Sequence, residues 1–434
     1  MRTVHSLMRH CAFVAALFSP FAGTQAATVR VDAHGAKGDG TGNDAPALQA
    51  AIGAAKANDR ILLRNGAVYY LAGPVIIDKP LTFKGKATLK VDDGFVQPPS
   101  APRKSSVLEI TAAAAGTALD GITVDFAGTG RSGIDVWAPD VLLNDLTFLN
   151  YHKKPKSDGK RFDSSESGLR IMASGTRARN VHCEDMHTET ADAVPRCVTV
   201  QGGASDVEIR NVTGKRINGG VVLGKSSDVR ILGYRFESLS DNGIYVLGNA
   251  RDVVAEDGYL RDTEEPVVFK GANTRVSRLE VINQSRGFGL EQAKGVILED
   301  VTVRYEPGFS GAPAFLRARK ANKSSSDILL RNIDADLLMG DSVLSVAYGE
   351  VDGLRLENCR FRLHRLPGGK KPRYLVRHKT GSPPEYESTS MDLVGFQGSL
   401  DGRLVVQSAG RAAQGSGLDV RQNGRTLRPA ERVK

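Results

Sequence analysis

Between residues 132 and 287 the chain repeats one pattern of apolar and polar positions. The stretches "SGIDVWAPDVLLNDLTFLN", "SGLRIMASGTRARNVHCEDMHT", "RCVTVQGGASDVEIRNVTGKRI", "GGVVLGKSSDVRILGYRFESLSD", "NGIYVLGNARDVVAEDGYLRDTE" and "EPVVFKGANTRVSRLEVINQSRG" follow one another. Each opens with a short alternating strand, passes a Gly/Asn/Ser turn, runs through a second strand and closes on a polar turn. The inward residues opening successive strands are Val198, Val221, Ile244, Val267 and Phe288, at steps of 23, 23, 23 and 21. Related turns follow at "GFGLEQAKGVILEDVTVRY" and "SVLSVAYGEVDGLRLENCRFRL". This period is too short for a βαβ unit and carries no helix signals. It suits one turn of a parallel β-solenoid, an all-β fold whose coils stack about 4.8 Å apart.

A solenoid leaves an open sheet edge that has to be covered. Near the start, "DAPALQAAIGAAKA" reads as a helix with Asn43 or Asp44 as N-cap and Pro46 in the first turn. Leu48, Ile52 and Ala55 share one of its faces, as expected of a helix laid over the first coil. The glycines of the preceding "GAKGDGTG" allow a sharp reversal.

The run of strand, "GAKGDG", Asx turn and "ALQAAI" resembles the start of the pectate-lyase-superfamily right-handed parallel β-helix proteins. The following "ILLRNGAVYYLAGPVIIDKPLTFKG" resembles their first coils. That group includes pectin-degrading enzymes, phage tailspikes and periplasmic proteins of exopolysaccharide biosynthesis. The resemblance covers residues 28–360 and implies a single-stranded right-handed β-helix with an N-terminal capping helix. Catalytic and non-catalytic members share the motif, so Asp39 reads as a turn residue. Insertions at "DDGFVQPPSAPRKSS", "YHKKPKSDGKRFDSS" and "EPGFSGAPAFLRARKANKSSS" either wall a groove or are solvated loops. Residues 361–434 read as an irregular basic extension with a few strands near "LVGFQGSL" and "GRLVVQS".

Outward side chains of successive coils line up in rows, which suits an extended polymer. On the opening strands that set is Asp135, Trp137, Arg170, Thr199, Gln201, Tyr245, Lys270 and Glu291. The turns before those strands add Glu166, Asp192, Arg196, Asp241, Asn242, Glu264, Glu265 and Arg286. Trp137 and Tyr245 are candidates for stacking on sugar rings. Asp135, Arg170, Arg196, Gln201, Lys225 and Glu291 are candidates for reading hydroxyls and carboxylates.

Two chemistries fit this face. Hydrolysis needs two carboxylates flanking the bond, about 5–5.5 Å apart for retention or about 6.5–9.5 Å for inversion. Asp241 lies one coil from Glu264 and Glu265, and spacing does not choose between the two outcomes. Elimination needs a base and a cation for the enolate. Related lyases use Arg or Lys as base and acidic residues for calcium. Lys270 is then the candidate base, with Arg286 one coil on and Ca2+ compatible with Asp241, Glu264 and Glu265. The adjacent glutamates favour charged lysine, against such a role. The Asn-Thr-Asp, Asp-Asp, Gly-His-Gly and Arg-x-Lys set of the pectin hydrolases is not kept: "SDNGIYV" offers Asp241-Asn242, and Phe288 stands where the histidine belongs. Among the histidines only His182 and His187, five apart in "VHCEDMH", approach a metal-ligand spacing, and a zinc site there is not the expected reading.

Composition changes the picture in three places. Arg2 and Arg9 precede the apolar "CAFVAALFSPFAG", and Thr24 and Ala26 suit leader cleavage after Ala26. No later segment is apolar over the roughly 18 residues a membrane span needs. The expected location is therefore periplasmic or secreted. The net charge of +9 is also the net charge of residues 360–434, with 15 Lys/Arg against 6 Asp/Glu, while residues 27–359 carry −2. With no nucleic-acid motif, the basic segment points to an acidic glycan or a membrane surface rather than DNA or RNA. Cys183, Cys197 and Cys359 remain after cleavage; core filling is the expected role, with a disulfide as the alternative because Cys197, at a strand start, could reach a partner in an oxidising compartment. The expected function is cleavage or remodelling of an acidic polysaccharide by lyase or glycoside hydrolase chemistry. The alternative is a non-catalytic glycan-binding scaffold in exopolysaccharide assembly or export.

Overall fold

The computed structural model describes residues 26–95, 106–153, 166–188, 195–309, 311, 314–337, 342–363, 374–378, 388–394, 397–398, 406–408, 417–422 and 425–427. The leader expectation falls outside this set. Each strand in the body of the fold pairs in parallel with its counterpart one coil earlier and one coil later, the arrangement of a parallel β-helix. Arg196–Val200 lies between Ser167–Ile171 and Gly219–Leu223, then Asn242–Val246 and Glu265–Phe269 follow. The register joins Val198 to Val221, Ile244 and Val267, the 23-residue period of the sequence. All four side chains, and Phe288 after them, are buried in one continuous core.

The second strand of each coil is long because it bends rather than stops. Ala204–Ile217, Ser226–Leu239 and Ala250–Thr263 each run in register with the next over both halves. The bend comes at a left-handed residue, and the chain mostly supplies Asn or Asp there, the side chains that tolerate positive φ, with Gly233 and Arg278 in two coils. Asp145, Asn180, Asn211, Asp257, Asp300, Asn332 and Asn358 occupy that column with φ from 51° to 59°. Their amides bond from coil to coil: Asn211 Nδ2 donates to Asn180 Oδ1 at 3.1 Å, and Asn358 Nδ2 to Asn332 Oδ1 at 2.9 Å. These ladders satisfy polar groups at a corner where no ordinary strand pairing reaches them.

The N-terminal motif is organised by Asp44. Its two carboxylate oxygens accept the backbone N–H of Lys37 at 2.7 Å and of Gly38 at 3.1 Å, which closes the glycine turn. Asp44 is therefore the residue before the helix but not its side-chain cap; Asn43 Oδ1 accepts the Ala45 N–H instead. Asp39 accepts from the Thr41 N–H and hydroxyl, an Asx turn on the surface, as the sequence suggested. The helix Ala45–Ala54 buries Leu48, Ala51 and Ile52 beside the strands of the first coil. At the other end, Tyr374–His378 and Ser388–Val394 pair in parallel with the strand Ser342–Glu357. Parallel pairing thus runs on into the C-terminal extension, where the sequence reading placed only a few strands near "LVGFQGSL" and "GRLVVQS".

The cysteine expectation needs correction. Cys183 and Cys197 form a disulfide, both fully buried, and among the described residues only Cys359 is free. The reason is a packing column. The position of Cys197 is Gly133, Gly168, Gly220 and Gly243 in other coils, and a Cβ at Gly133, Gly168 or Gly220 would lie 2.6–2.7 Å from the ring of Phe148 or Phe236. Cys183 stands directly across the coil boundary from Phe148. Glycine facing a large ring is replaced here by two sulfurs joined across the same slot.

Candidate functional site

The outward face of the opening strands carries most of the charged candidates, and it is enclosed. Asp135, Glu265 and Glu291 are 2%, 1% and 4% exposed, and Arg196 and Arg170 are 8% and 9% exposed. Buried charges require partners. Asp135 and Arg170 are register neighbours, and Arg170 Nε donates to Asp135 Oδ1 at 2.9 Å. The same arginine reaches Asp135 Oδ2 through Nη2. Nearby, the Tyr151 hydroxyl donates to Glu166, and burial followed by the Glu166 charge raises its pKa above the usual phenol range.

The second and larger cluster centres on Tyr245. Arg196 Nη2 lies 2.7 Å from Asp241 Oδ2, and its guanidinium carbon stands 5.8 Å from the Tyr245 ring centroid. Lys270 donates to the Tyr245 hydroxyl from the next coil, with Nζ 4.4 Å from the same centroid. The Lys270 ammonium also forms an ion pair with Glu291 at 2.6 Å. Lys270 and Glu291 each follow the last inward residue of their strands, so they stand in one column a coil apart. Asn242 Nδ2 donates to Glu265 Oε2 at 3.0 Å, again between register partners. Glu264 pairs with Arg286 at 2.6 Å nearer solvent.

The structure therefore brings Arg196, Asp241, Tyr245, Lys270 and Glu291 together, with Glu264, Glu265 and Arg286 beside them. It does not bring Trp137 to Tyr245: four coils separate them, about 19 Å along the axis. Lys225 is exposed in a turn outside the cluster, and Gln201 is half-buried two coils before Tyr245. Lys270 takes Glu291 as its ion-pair partner, where the sequence reading set it against Glu264 and Glu265. Asp192 lies outside the described residues.

Three participants were not singled out from the sequence. Gly219 occupies the coil between Arg196 and Asn242, and the arginine lies over it. Val222 and Val268 flank Tyr245 in the same outward row, each less than a tenth exposed. The signal for Gly219 was present, since glycine is the one residue in its row without a side chain to project. Among the described residues no three His, Cys, Asp or Glu converge as metal ligands. His182 Nδ1 meets the Thr213 hydroxyl, while His187 packs edgewise on His152. Nor is any described helix long and apolar enough to cross a membrane.

No protein-family model matches the chain, and no curated protein matches it in sequence. Among solved structures it is similar to the pre-mature gene product 12 of bacteriophage phi29, with TM-score 0.57 and 14% identity. That match covers 90% of this chain and 58% of the phage protein, so the chain spans well under two thirds of that relative. It is also similar to the catalytic domain of Agl-KA, with TM-score 0.53 and 14% identity over 91% of this chain and 68% of the other. Identity at this level speaks to fold, and with the coil-to-coil register it makes the chain a parallel β-helix protein.

Proposed function

We propose that the chain is an exported carbohydrate-active protein that cleaves a polysaccharide lying along the Tyr245 face, by glycoside hydrolysis through Asp241 and Glu265. The observation that carries this reading is the contrast between those two carboxylates. Asp241 is partly exposed and ion-paired with the Arg196 guanidinium at 2.7 Å. Glu265, one coil on, is 1% exposed and accepts from the neutral amide of Asn242. The enclosed Glu265 takes the part of acid and the more exposed Asp241 that of nucleophile or base, the two roles that glycoside hydrolysis divides between a pair of carboxyls. The backbones of adjacent coils are about 4.8 Å apart, within reach of the separations that glycoside hydrolysis requires. In this scheme the Glu265 proton goes to the glycosidic oxygen as the C–O bond breaks. Asp241 either attacks the anomeric carbon or takes a proton from the attacking water.

Elimination has less support here. The candidate base Lys270 is already engaged by the Glu291 carboxylate at 2.6 Å and by the Tyr245 hydroxyl, which leaves it poorly placed to approach a sugar C–H. A second reading, a glycan-binding scaffold without catalysis, draws on the same ion pairing, since Asp241, Glu264 and Glu291 are each tied to a cation. Export is supported by the Cys183–Cys197 disulfide, a bond that persists in oxidising compartments such as the periplasm.

The test is release of reducing ends from a polysaccharide panel, with ultraviolet absorbance of unsaturated uronates followed in the same tubes. Hydrolysis predicts reducing ends without absorbance, and a fall of at least about 100-fold in Glu265→Gln and Asp241→Asn. Absorbance rising with the reducing ends would replace this scheme with elimination. Binding without either signal would support the scaffold.

A further inference from the structure

The N-terminal end of the solenoid holds an acidic group that meets only backbone donors. Asp59 is 8% exposed and lies in the turn between the capping helix and the strand Arg60–Leu62. Its Oδ1 accepts the Ala27 N–H at 2.8 Å, and its Oδ2 accepts the Lys56 N–H at 2.8 Å. Among the described residues no lysine or arginine side chain pairs with it. An enclosed negative charge calls for a positive one.

The Ala27 nitrogen is fixed in front of this carboxylate. The Ala27 carbonyl accepts the Arg60 N–H at 2.8 Å, and Thr28–Arg30 runs on from it in parallel with Arg60–Leu62. On the other side, Asn58 turns the chain with φ 70°, its N–H bonds to the Pro80 carbonyl, and the Asp59 carbonyl accepts from Thr82. Ala26 and Ala27 are both exposed and precede the strand, so the bond joining them lies outside it.

Ala27 is also the residue that leader cleavage after Ala26 would make the first of the processed chain. Hydrolysis of that bond by a leader peptidase adds water across it, leaving a carboxylate on Ala26 and an ammonium group on Ala27. The nitrogen 2.8 Å from Asp59 then carries a full positive charge and three N–H donors. A hydrogen bond between charged groups is roughly twice as strong as one between neutral groups.

We infer that Asp59 is a capture site for the α-ammonium group of a chain processed after Ala26, and that processing therefore strengthens the open N-terminal end of the solenoid. This rests on cleavage at that bond and owes nothing to the Tyr245 face.

Mass spectrometry of the exported chain should give Ala27 as its first residue. Three folded, oxidised chains then separate charge from hydrogen bonding. One starts at Ala27, one at Gly23, and one at Nα-acetylated Ala27, which keeps the N–H without the charge. Hydrogen exchange at the Lys56 and Arg60 amides reads local opening of the first coil. Both amides should exchange at least about fivefold more slowly with the free Ala27 terminus than in the other two chains. Asp59→Asn keeps an acceptor without a charge and should erase that difference. The acetylated chain decides the matter even where the variant does not fold. A processed chain beginning at another residue, equal exchange in the three chains, or a difference that persists in Asp59→Asn would overturn the capture site.

Discussion

Arg196 reaches Asp241 by lying across Gly219: a Cβ added at Gly219 would stand 2.0 Å from Arg196 Nη1 and 2.7 Å from its Cδ. Gly219 is not in the left-handed region, so its backbone accepts alanine and the conflict lies with the arginine side chain alone. Gly219→Ala should therefore leave Tm within about 2 °C while displacing the guanidinium from Asp241. The expected cost is at least about tenfold in polymer binding or turnover, equivalent to about 1.4 kcal/mol. A variant with unaltered binding would show that the Arg196–Asp241 pair plays no part at the site.

The disulfide makes a different kind of prediction, because it sits in a packing slot as well as closing a loop. Cys183 and Cys197 are 14 residues apart, and a loop of that size is worth about 3 kcal/mol in the chain-entropy account. Cys183→Ala with Cys197→Ala should lose that and add a packing defect. Cys183→Phe with Cys197→Gly copies the ring-and-glycine arrangement of neighbouring coils, and should recover part of the loss without a covalent bond. Urea midpoints of the two double variants test this. Equal midpoints would mean that the slot contributes nothing beyond the cross-link.

Much of the architecture was legible because a solenoid writes its geometry as a period. Val198, Val221, Ile244 and Val267 recur at the spacing at which their strands pair, so the inward set could be read directly. Asp39 was equally plain as a turn residue, since an Asx turn is local. The disulfide was legible only as the second option for Cys197, because that residue belongs to a glycine column that is recognised only once Phe148 and Phe236 are seen facing it. Site membership followed from the rows, but pairing did not. Lys270 has Glu264 and Glu265 close in sequence, yet its partner is Glu291, placed in the same column by the register. Arg196 and Asp241 are 45 residues apart and meet because Gly219 leaves the intervening coil open.

Asp44 is the residue whose loss should disturb the N-terminal motif most. It is 2% exposed, and its two oxygens take the N–H groups of Lys37 and Gly38, which have no strand partner to fall back on. Asp44→Ala leaves both donors unmet and should cost about 2–4 kcal/mol, read as a lower urea midpoint. Asp44→Asn keeps one acceptor oxygen and should fall between. Asp39→Ala, at an exposed turn, should cost less than about 1 kcal/mol. If the two alanine variants cost the same, the carboxylate of Asp44 does not organise the turn.

Alkaline pH should weaken the C-terminal coils through Cys359. Burial pushes its thiol up to about 11 from an ordinary value of 9.0. Below pH 9 the thiol is protonated both folded and unfolded, and its contribution is fully present. As pH rises from 9 through 11 the unfolded chain releases the proton while the folded chain holds it, so stability falls with pH across that window. Cys359 is 1% exposed, and the loss should amount to about 2 kcal/mol by pH 11. Tyr69, Tyr151 and Tyr234, also raised by burial, add to the fall from about pH 10 upward. Their share persists when the cysteine is removed, so the informative quantity is the difference between the wild type and Cys359→Ala. Urea unfolding at a series of pH values should show the two curves converging between pH 9 and 11, with the variant less stable at neutral pH because of its cavity. Alkylation gives an independent reading: at pH 8 the thiol should resist iodoacetamide in the folded chain and react in urea. Parallel curves across that window, or rapid labelling of the folded protein, would place Cys359 outside the core.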